Sequence, residues 1–299
     1  MEGTVGAVST VNGFSYGIVT PVAAYVMACL GGALGLRCLS LSFDTSPQRR
    51  AFWLTLASAA LGAGIWTTHF IAMMGFSIDR SGVDYQAHTM FAGLGVAIAM
   101  VGAGIFVIGF RRGGAALFTG GTVTGLGIAS MHFLGMAGMQ LDGHFEYDTL
   151  TVTASVLIAV VAAVGAFWAA QRGGFLWSLG ASLAMGLAVT GMHYVAMAAV
   201  HVHLDGDGMT TGGASSAKML APMLIGPLGF LLLAAAVVLV DPLLVLGRGG
   251  RRERQGGPRR DELPGRLGHR GLASLPGPGH GPRRRTERRE PSRTGPPGS

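Results

Sequence analysis

Long apolar runs alternate with short polar connections along this chain. The runs cover residues 17–39, 52–76, 88–110, 115–139, 150–170, 175–200 and 219–246. A helix needs about 20 residues to cross the hydrocarbon core of a bilayer, so each run is long enough to span. None of them alternates apolar and polar positions as a spanning strand would. The pattern predicts an all-α polytopic membrane protein with seven transmembrane helices, three repeated helix pairs plus one. Residues 1–16 form an extracytoplasmic N-terminal segment, 17–246 the membrane domain and 247–299 a tail.

The polar connections set the orientation. Those after the first, third and fifth runs carry Arg37, Arg49, Arg50, Arg111, Arg112 and Arg172, with Asp44 as their acid. Those after the second, fourth and sixth carry Asp79, Asp84, Asp142, Glu146, Asp148, Asp205 and Asp207 against Arg80 and Lys218. Cytoplasmic connections are the basic ones, which places the N-terminus outside and the C-terminal tail in the cytoplasm. A cleaved signal peptide is not expected, because residues 1–17 have neither a basic start nor a small-residue cleavage site.

Composition agrees with a membrane class: 12% charged residues, 50 glycines and a mean hydropathy of +0.47. The net charge of +7 belongs to the tail, since residues 1–246 hold 8 Lys+Arg against 10 Asp+Glu and residues 247–299 hold 14 against 5. The tail is Arg, Pro and Gly with little to bury, and is expected to be disordered and drawn to anionic lipid. It lacks the interleaved aromatics of a nucleic-acid binder, so no nucleic acid is expected as a partner. Cys29 and Cys38, nine residues apart on one helix, face different ways and cannot pair. Gly31 with Gly35, Gly62, Gly93, and Gly121 with Gly125 sit where neighbouring helices are expected to approach closely.

The chemistry lies in a repeat. TTHFIAM, SMHFLGM and GMHYVAM surround His69, His132 and His193, which are 63 and 61 residues apart. Each histidine is followed at i+4 by Met73, Met136 or Met197, a spacing that stacks imidazole and thioether on one helix face. Met131 and Met192, at i−1, point about 100° round the helix toward another neighbour. The helices carrying the motif run the same way, and the expected spans put each histidine roughly 7 to 9 residues inside the outer end. That is on the order of 10 to 14 Å, and the three rings can converge.

Imidazole with thioether is a soft donor set that favours copper, and it binds a cation without burying carboxylates in lipid. Zinc gains little from thioether, and calcium and magnesium need oxygen. Haem is the competing cofactor, using two of the histidines as axial ligands. A histidine in a membrane bundle also serves as a helix-to-helix hydrogen-bonding group, with methionine as packing. Outside the bundle, His88, His144, His201 and His203 lie among the acids, and His201 and His203 with Asp205 and Asp207 form a possible outer relay for a divalent ion.

These residues resemble the MHYT domain, a bacterial integral-membrane sensor module, over about residues 17–246. The resemblance implies a copper site near the outer face and the sensing of oxygen, carbon monoxide or nitric oxide. Its ligands fall on Met131 with His132, on Met192 with His193 and on His69, with Met73, Met136 and Met197 also matching. The motif's tyrosine stands only at Tyr194, with Phe70 and Phe133 in the other copies, and its final threonine is Val195. Such modules are often fused to domains that make or break cyclic di-GMP or to kinases. The 53 residues after Leu246 leave no room for one, so a cytoplasmic signalling partner is expected. No nucleophile with a base, phosphate loop or carboxylate pair suggests an enzyme. Copper transport is the alternative function, and the sequence leaves the oligomeric state open.

Overall fold

The structure is a computed structural model that describes residues 8–9, 11–12, 16–43, 45–78, 84–111, 113–140, 143–172, 175–204 and 216–255. Seven helices dominate it: α1 (Val19–Phe43), α2 (Pro47–Met73), α3 (Ala87–Phe110), α4 (Gly114–Ala137), α5 (Thr149–Arg172), α6 (Phe175–Ala198) and α7 (Ser216–Gln255). All seven are long and apolar enough to cross a membrane, so the protein is a multi-pass membrane protein. The boundaries shift modestly from those expected. Helix α2 starts five residues early because Pro47 stands at its first position, where a missing N–H costs nothing. Helix α7 continues to Gln255, past the expected boundary at 246, and the remainder of the tail lies outside the described residues.

Helices α1 to α6 close into a ring in which each touches the next and α6 returns to α1. Within it the second member of each pair, α2, α4 and α6, leans inward and meets the other two. Helix α7 lies outside this ring, where Leu231 packs on Ala60 and Ala63 of α2, beside Met27 and Leu34 of α1 and Leu94 of α3. It adds to the cover of α2, the most buried of the seven, which also packs on α1, α3, α4 and α6.

Backbones touch where the sequence supplies glycine. A Cβ on Gly31 of α1 would stand 2.8 Å from the Cα of Gly64 of α2, closer than carbon atoms tolerate. At Gly121 of α4 it would stand 2.8 Å from the Cα of Val164 in α5. Gly93 differs from the expectation, because a Cβ there meets nothing nearer than 3.8 Å. At the arginine-bearing end, Arg50 donates from Nε to the Ser42 carbonyl at 3.2 Å and ties the α1–α2 turn.

The outer end holds short strands that the all-helical expectation did not include: β1 (Val8–Ser9), β2 (Val11–Asn12), β3 (Ser77–Ile78), β4 (Asp84–Tyr85), β5 (Met139–Gln140), β6 (Gly143–Tyr147) and β7 (Val200–Leu204). They pair as a three-stranded sheet in the order β1-β7-β6 and as the ribbons β2-β3 and β4-β5. Connections packed over the bundle must satisfy their backbone donors and acceptors, and pairing with one another does this. All of these strands lie at the ends where α2, α4 and α6 finish.

Candidate metal centre

Three histidines meet inside the bundle. His69 of α2, His132 of α4 and His193 of α6 are 3%, 0% and 3% exposed. Their Nδ1 atoms form a triangle with edges of 3.2 Å (His69 to His193), 3.2 Å (His69 to His132) and 3.3 Å (His132 to His193). The rings stand nearly perpendicular to one another, at 75° to 87°, with centroids 5.0 to 5.1 Å apart, as in the blades of a propeller. Each histidine sits four or five residues before the end of its helix, about 6 to 8 Å along the axis, which is shallower than the span boundaries implied.

Hydrogen bonding cannot satisfy this triangle. Each Nδ1 either carries a proton and donates or is bare and accepts. Three atoms joined in a ring cannot alternate between two roles, so at least one edge sets donor against donor or lone pair against lone pair. A cation removes the conflict, since all three lone pairs then point at one ion. A point in the plane and equidistant from the three nitrogens lies about 1.9 Å from each, and a slight rise above it brings the separation to the 2.0–2.1 Å of imidazole–metal bonds. Among the described residues this is the one group of His, Cys, Asp and Glu side chains with the mutual spacing of metal ligands.

The far side of each ring shows how tightly the site is built. His132 Nε2 is buried without a hydrogen-bond partner. His69 Nε2 lies over Gly135 of α4, where a Cβ would come within 2.5 Å of it. Trp66, one turn before His69, donates from Nε1 to the Met90 carbonyl at 2.9 Å and packs on Phe70 with centroids 4.5 Å apart. These contacts hold the stretch of α2 that carries His69 against α3.

The methionines of the motif are buried as well. Met73, Met136 and Met197 are 1%, 0% and 9% exposed, one turn from their histidines toward the outer end. Met131 and Met192 are each 1% exposed, and Met131 lies against Gly93 of α3, in line with the different neighbour expected for the i−1 position. The structure thus brings the imidazoles together at one point and buries all five motif methionines in the bundle. Tyr194 is half-buried, its ring edge-on to that of His193 with centroids 5.1 Å apart. Cys29 and Cys38 are free thiols.

The outer histidines separate from the centre. His88 is exposed in the first turn of α3, His144 is exposed in β6 and His201 in β7. His203 pairs by backbone register with His144, while Asp205 and Asp207 lie outside the described residues. Between β6 and α5, Asp148 accepts from the Thr151 amide at 2.8 Å and from its hydroxyl at 2.5 Å, capping α5. Those two bonds hold the Asp148 carboxyl below its usual range. Burial pushes the neighbouring Tyr147 phenol up. Sequence reasoning missed the steric role of Gly135 and the pairing of the outer strands. The second had a signal: VHVHL alternates at the period of a strand.

Comparison with known proteins agrees with this architecture. The family model of the MHYT repeat, described as a bacterial signalling protein N-terminal repeat, matches residues 62–121 and 125–182. The matched segments contain His69 and His132, and His193 is the third copy beyond them. The chain is 34% identical over 163 residues to the bifunctional diguanylate cyclase/cyclic di-GMP phosphodiesterase MucR of Pseudomonas aeruginosa, covering 51% of this chain and 23% of MucR. It is 30% identical over 188 residues to the cyclic di-GMP phosphodiesterase NbdA of the same species, covering 59% of this chain and 23% of NbdA. With the signaling protein YkoW of Bacillus subtilis it shares 25% over 193 residues, 60% of this chain and 23% of YkoW. The matched stretch thus spans under a quarter of each of these relatives. No solved structure matches the chain. The matched segments are MHYT repeats, and helix pairs that recur with a motif histidine in each are consistent with the MHYT domain family.

Proposed function

We propose that this protein is a membrane sensor whose triad of His69, His132 and His193 holds one copper ion and responds to a small diatomic ligand, oxygen, carbon monoxide or nitric oxide. The observation that carries this is the triangle of Nδ1 atoms at 3.2 to 3.3 Å, which no assignment of protons satisfies and a cation does. Met73, Met136 and Met197, buried one helix turn from their histidines, would supply soft donors beside it, and a copper ion there would offer an open coordination position to a gas. The chain's own residues orient the imidazoles, exclude water and keep carboxylates away. A sensing role also accords with the signalling proteins among its relatives.

Haem fits the arrangement less well. Two axial nitrogens must stand on opposite faces of a flat macrocycle, whereas here three converge on one point. Transport of copper across the membrane would need further donors along the path. The described interior toward the arginine-bearing end offers buried hydroxyls such as Thr124 and Ser58 but no second group of metal-ligating side chains. The signal would leave by movement of α2, α4 and α6 relative to one another, to a cytoplasmic partner.

Metal analysis of the purified protein with an optical spectrum is the direct test. About one copper per chain, lost in His132→Ala, and an infrared carbonyl stretch on adding carbon monoxide to the reduced protein are expected. A Soret band without copper would overturn the copper assignment. Copper uptake into proteoliposomes would replace sensing by transport.

A further inference from the structure

At the arginine-bearing end of the bundle, Arg172 in the last turn of α5 lies over two tryptophans. Its guanidinium carbon is 4.1 Å from the ring centroid of Trp168 and 5.6 Å from that of Trp177, near the start of α6. The two indoles meet edge to face at 88°, with centroids 5.6 Å apart. We propose that this cluster binds the headgroup of one anionic phospholipid of the cytoplasmic leaflet, with an acyl chain lying along the seam between α5 and α6. The proposal is independent of the metal at the triad.

A guanidinium lying over a ring keeps N–H groups at its edge, where they match a phosphate bidentately. Among the described residues no carboxylate pairs with Arg172 and neither indole N–H finds an acceptor. All three side chains are exposed, and tryptophan is the residue whose amphipathic ring settles at the headgroup level of a bilayer. Arg172 also offsets the carbonyl end of α5, but that role needs no tryptophan. At the same end of α3, Arg111 is exposed while Phe106 and Phe110 pair with each other at 5.9 Å, so the cluster is not a requirement of the repeat.

Deeper in the membrane the seam opens. Gly165 precedes Trp168 by three residues and Gly180 follows Trp177 by three, so each lies about 4.5 Å further in along its helix. A Cβ on either glycine would meet nothing within 4 Å. Val161 and Leu187, 62% and 67% exposed, continue the same two faces toward the bilayer centre. A glycine floor with apolar sides suits an acyl chain, and the cation at its head selects the lipid. Arg37, Arg49 and Arg111 are exposed at the same end and add to the positive field, which favours an anionic headgroup over a zwitterionic one.

The test uses the full chain in proteoliposomes of phosphatidylcholine with a minor share of phosphatidylglycerol, one or the other brominated on its acyl chains. Bromine quenches the tryptophans it reaches. The chain has four, and Trp53 and Trp66 are buried, so quenching reports Trp168 and Trp177. At equal share, brominated phosphatidylglycerol is expected to quench as though enriched about fivefold over brominated phosphatidylcholine, the enrichment that one arginine at a lipid surface supplies. Arg172→Gln should remove this difference, Gly165→Leu with Gly180→Leu should lower it, and Arg111→Gln should leave it in place. Inorganic phosphate in the buffer should not compete. Equal quenching by the two lipids in the parent would overturn the proposal, as would a difference that survives Arg172→Gln, which would belong to the basic tail, or one abolished by inorganic phosphate, which would make the ligand a free anion.

Discussion

Helices α2 and α5 are both membrane spans, yet they invert the rule familiar from soluble proteins. The apolar stretch of α2 is 83% buried inside the protein and that of α5 is 28% buried, although α5 is much the more apolar of the two. The same ordering holds around the bundle: α2, α4 and α6 are the least apolar helices and the most buried, at 83%, 50% and 61%. In lipid an outward-facing side chain must be apolar, while an inward-facing one can be polar if its neighbours satisfy it. Thus α5 exposes Leu150, Leu157 and Val161, and α2 buries Ser58, Thr67, Thr68 and His69. The polar chemistry of the chain gathers where lipid cannot reach it.

Substitutions that cross this divide test it. The largest effect is expected from His132→Ala with His193→Ala, which leaves a single imidazole at the centre. Bound metal should fall to a trace by elemental analysis while circular dichroism retains the helical bundle. Loss of the fold along with the metal would make the triad a packing element instead.

Next in size is Gly135→Ala. The new methyl would press on His69 Nε2 within 2.5 Å and turn the ring from the centre. Metal affinity should fall about tenfold with a stability cost of about 1 to 3 kcal/mol, as for other overpacked sites. A metal titration and a thermal melt in detergent measure the two separately. Met136→Leu conserves volume, so stability should change by less than about 1.5 kcal/mol. Its mark should be chemical: weaker Cu(I) binding with Zn(II) binding unchanged.

Smaller effects belong to the surface. Asp148→Asn removes the charged cap of α5. The native carboxyl is held below its usual range by Thr151, so its stabilisation is present at neutral pH and fades as pH falls through that lowered value. The melting difference between the parent and Asp148→Asn should therefore shrink on acidification. Least of all, Leu157→Ala on the lipid face of α5 should leave metal content unchanged and stability within about 0.5 kcal/mol. A loss of metal there would break the division between inner and outer helices.

Much of this was legible from local pattern. The seven spans, the three-fold repeat and the convergence of His69, His132 and His193 follow from run length, a 61- to 63-residue period and helix direction. The outer strands were not legible in the same way. Their segments are two to five residues long, and pairing between β1 and β7 joins parts of the chain almost 200 residues apart. Gly135 was visible as a motif position, but its role against His69 depends on how α2 and α4 pack.

The sequence by itself determined that this protein lives in a membrane, which helices carry its histidines and that those helices run the same way, because hydrophobic length and period are properties of the chain. Only the tertiary structure decided that Nδ1 rather than Nε2 is the converging nitrogen and that three such atoms meet at 3.2 to 3.3 Å. Ring orientation is set by contacts with neighbouring helices, Gly135 and the Trp66 stretch among them, and those contacts exist only once the bundle has closed.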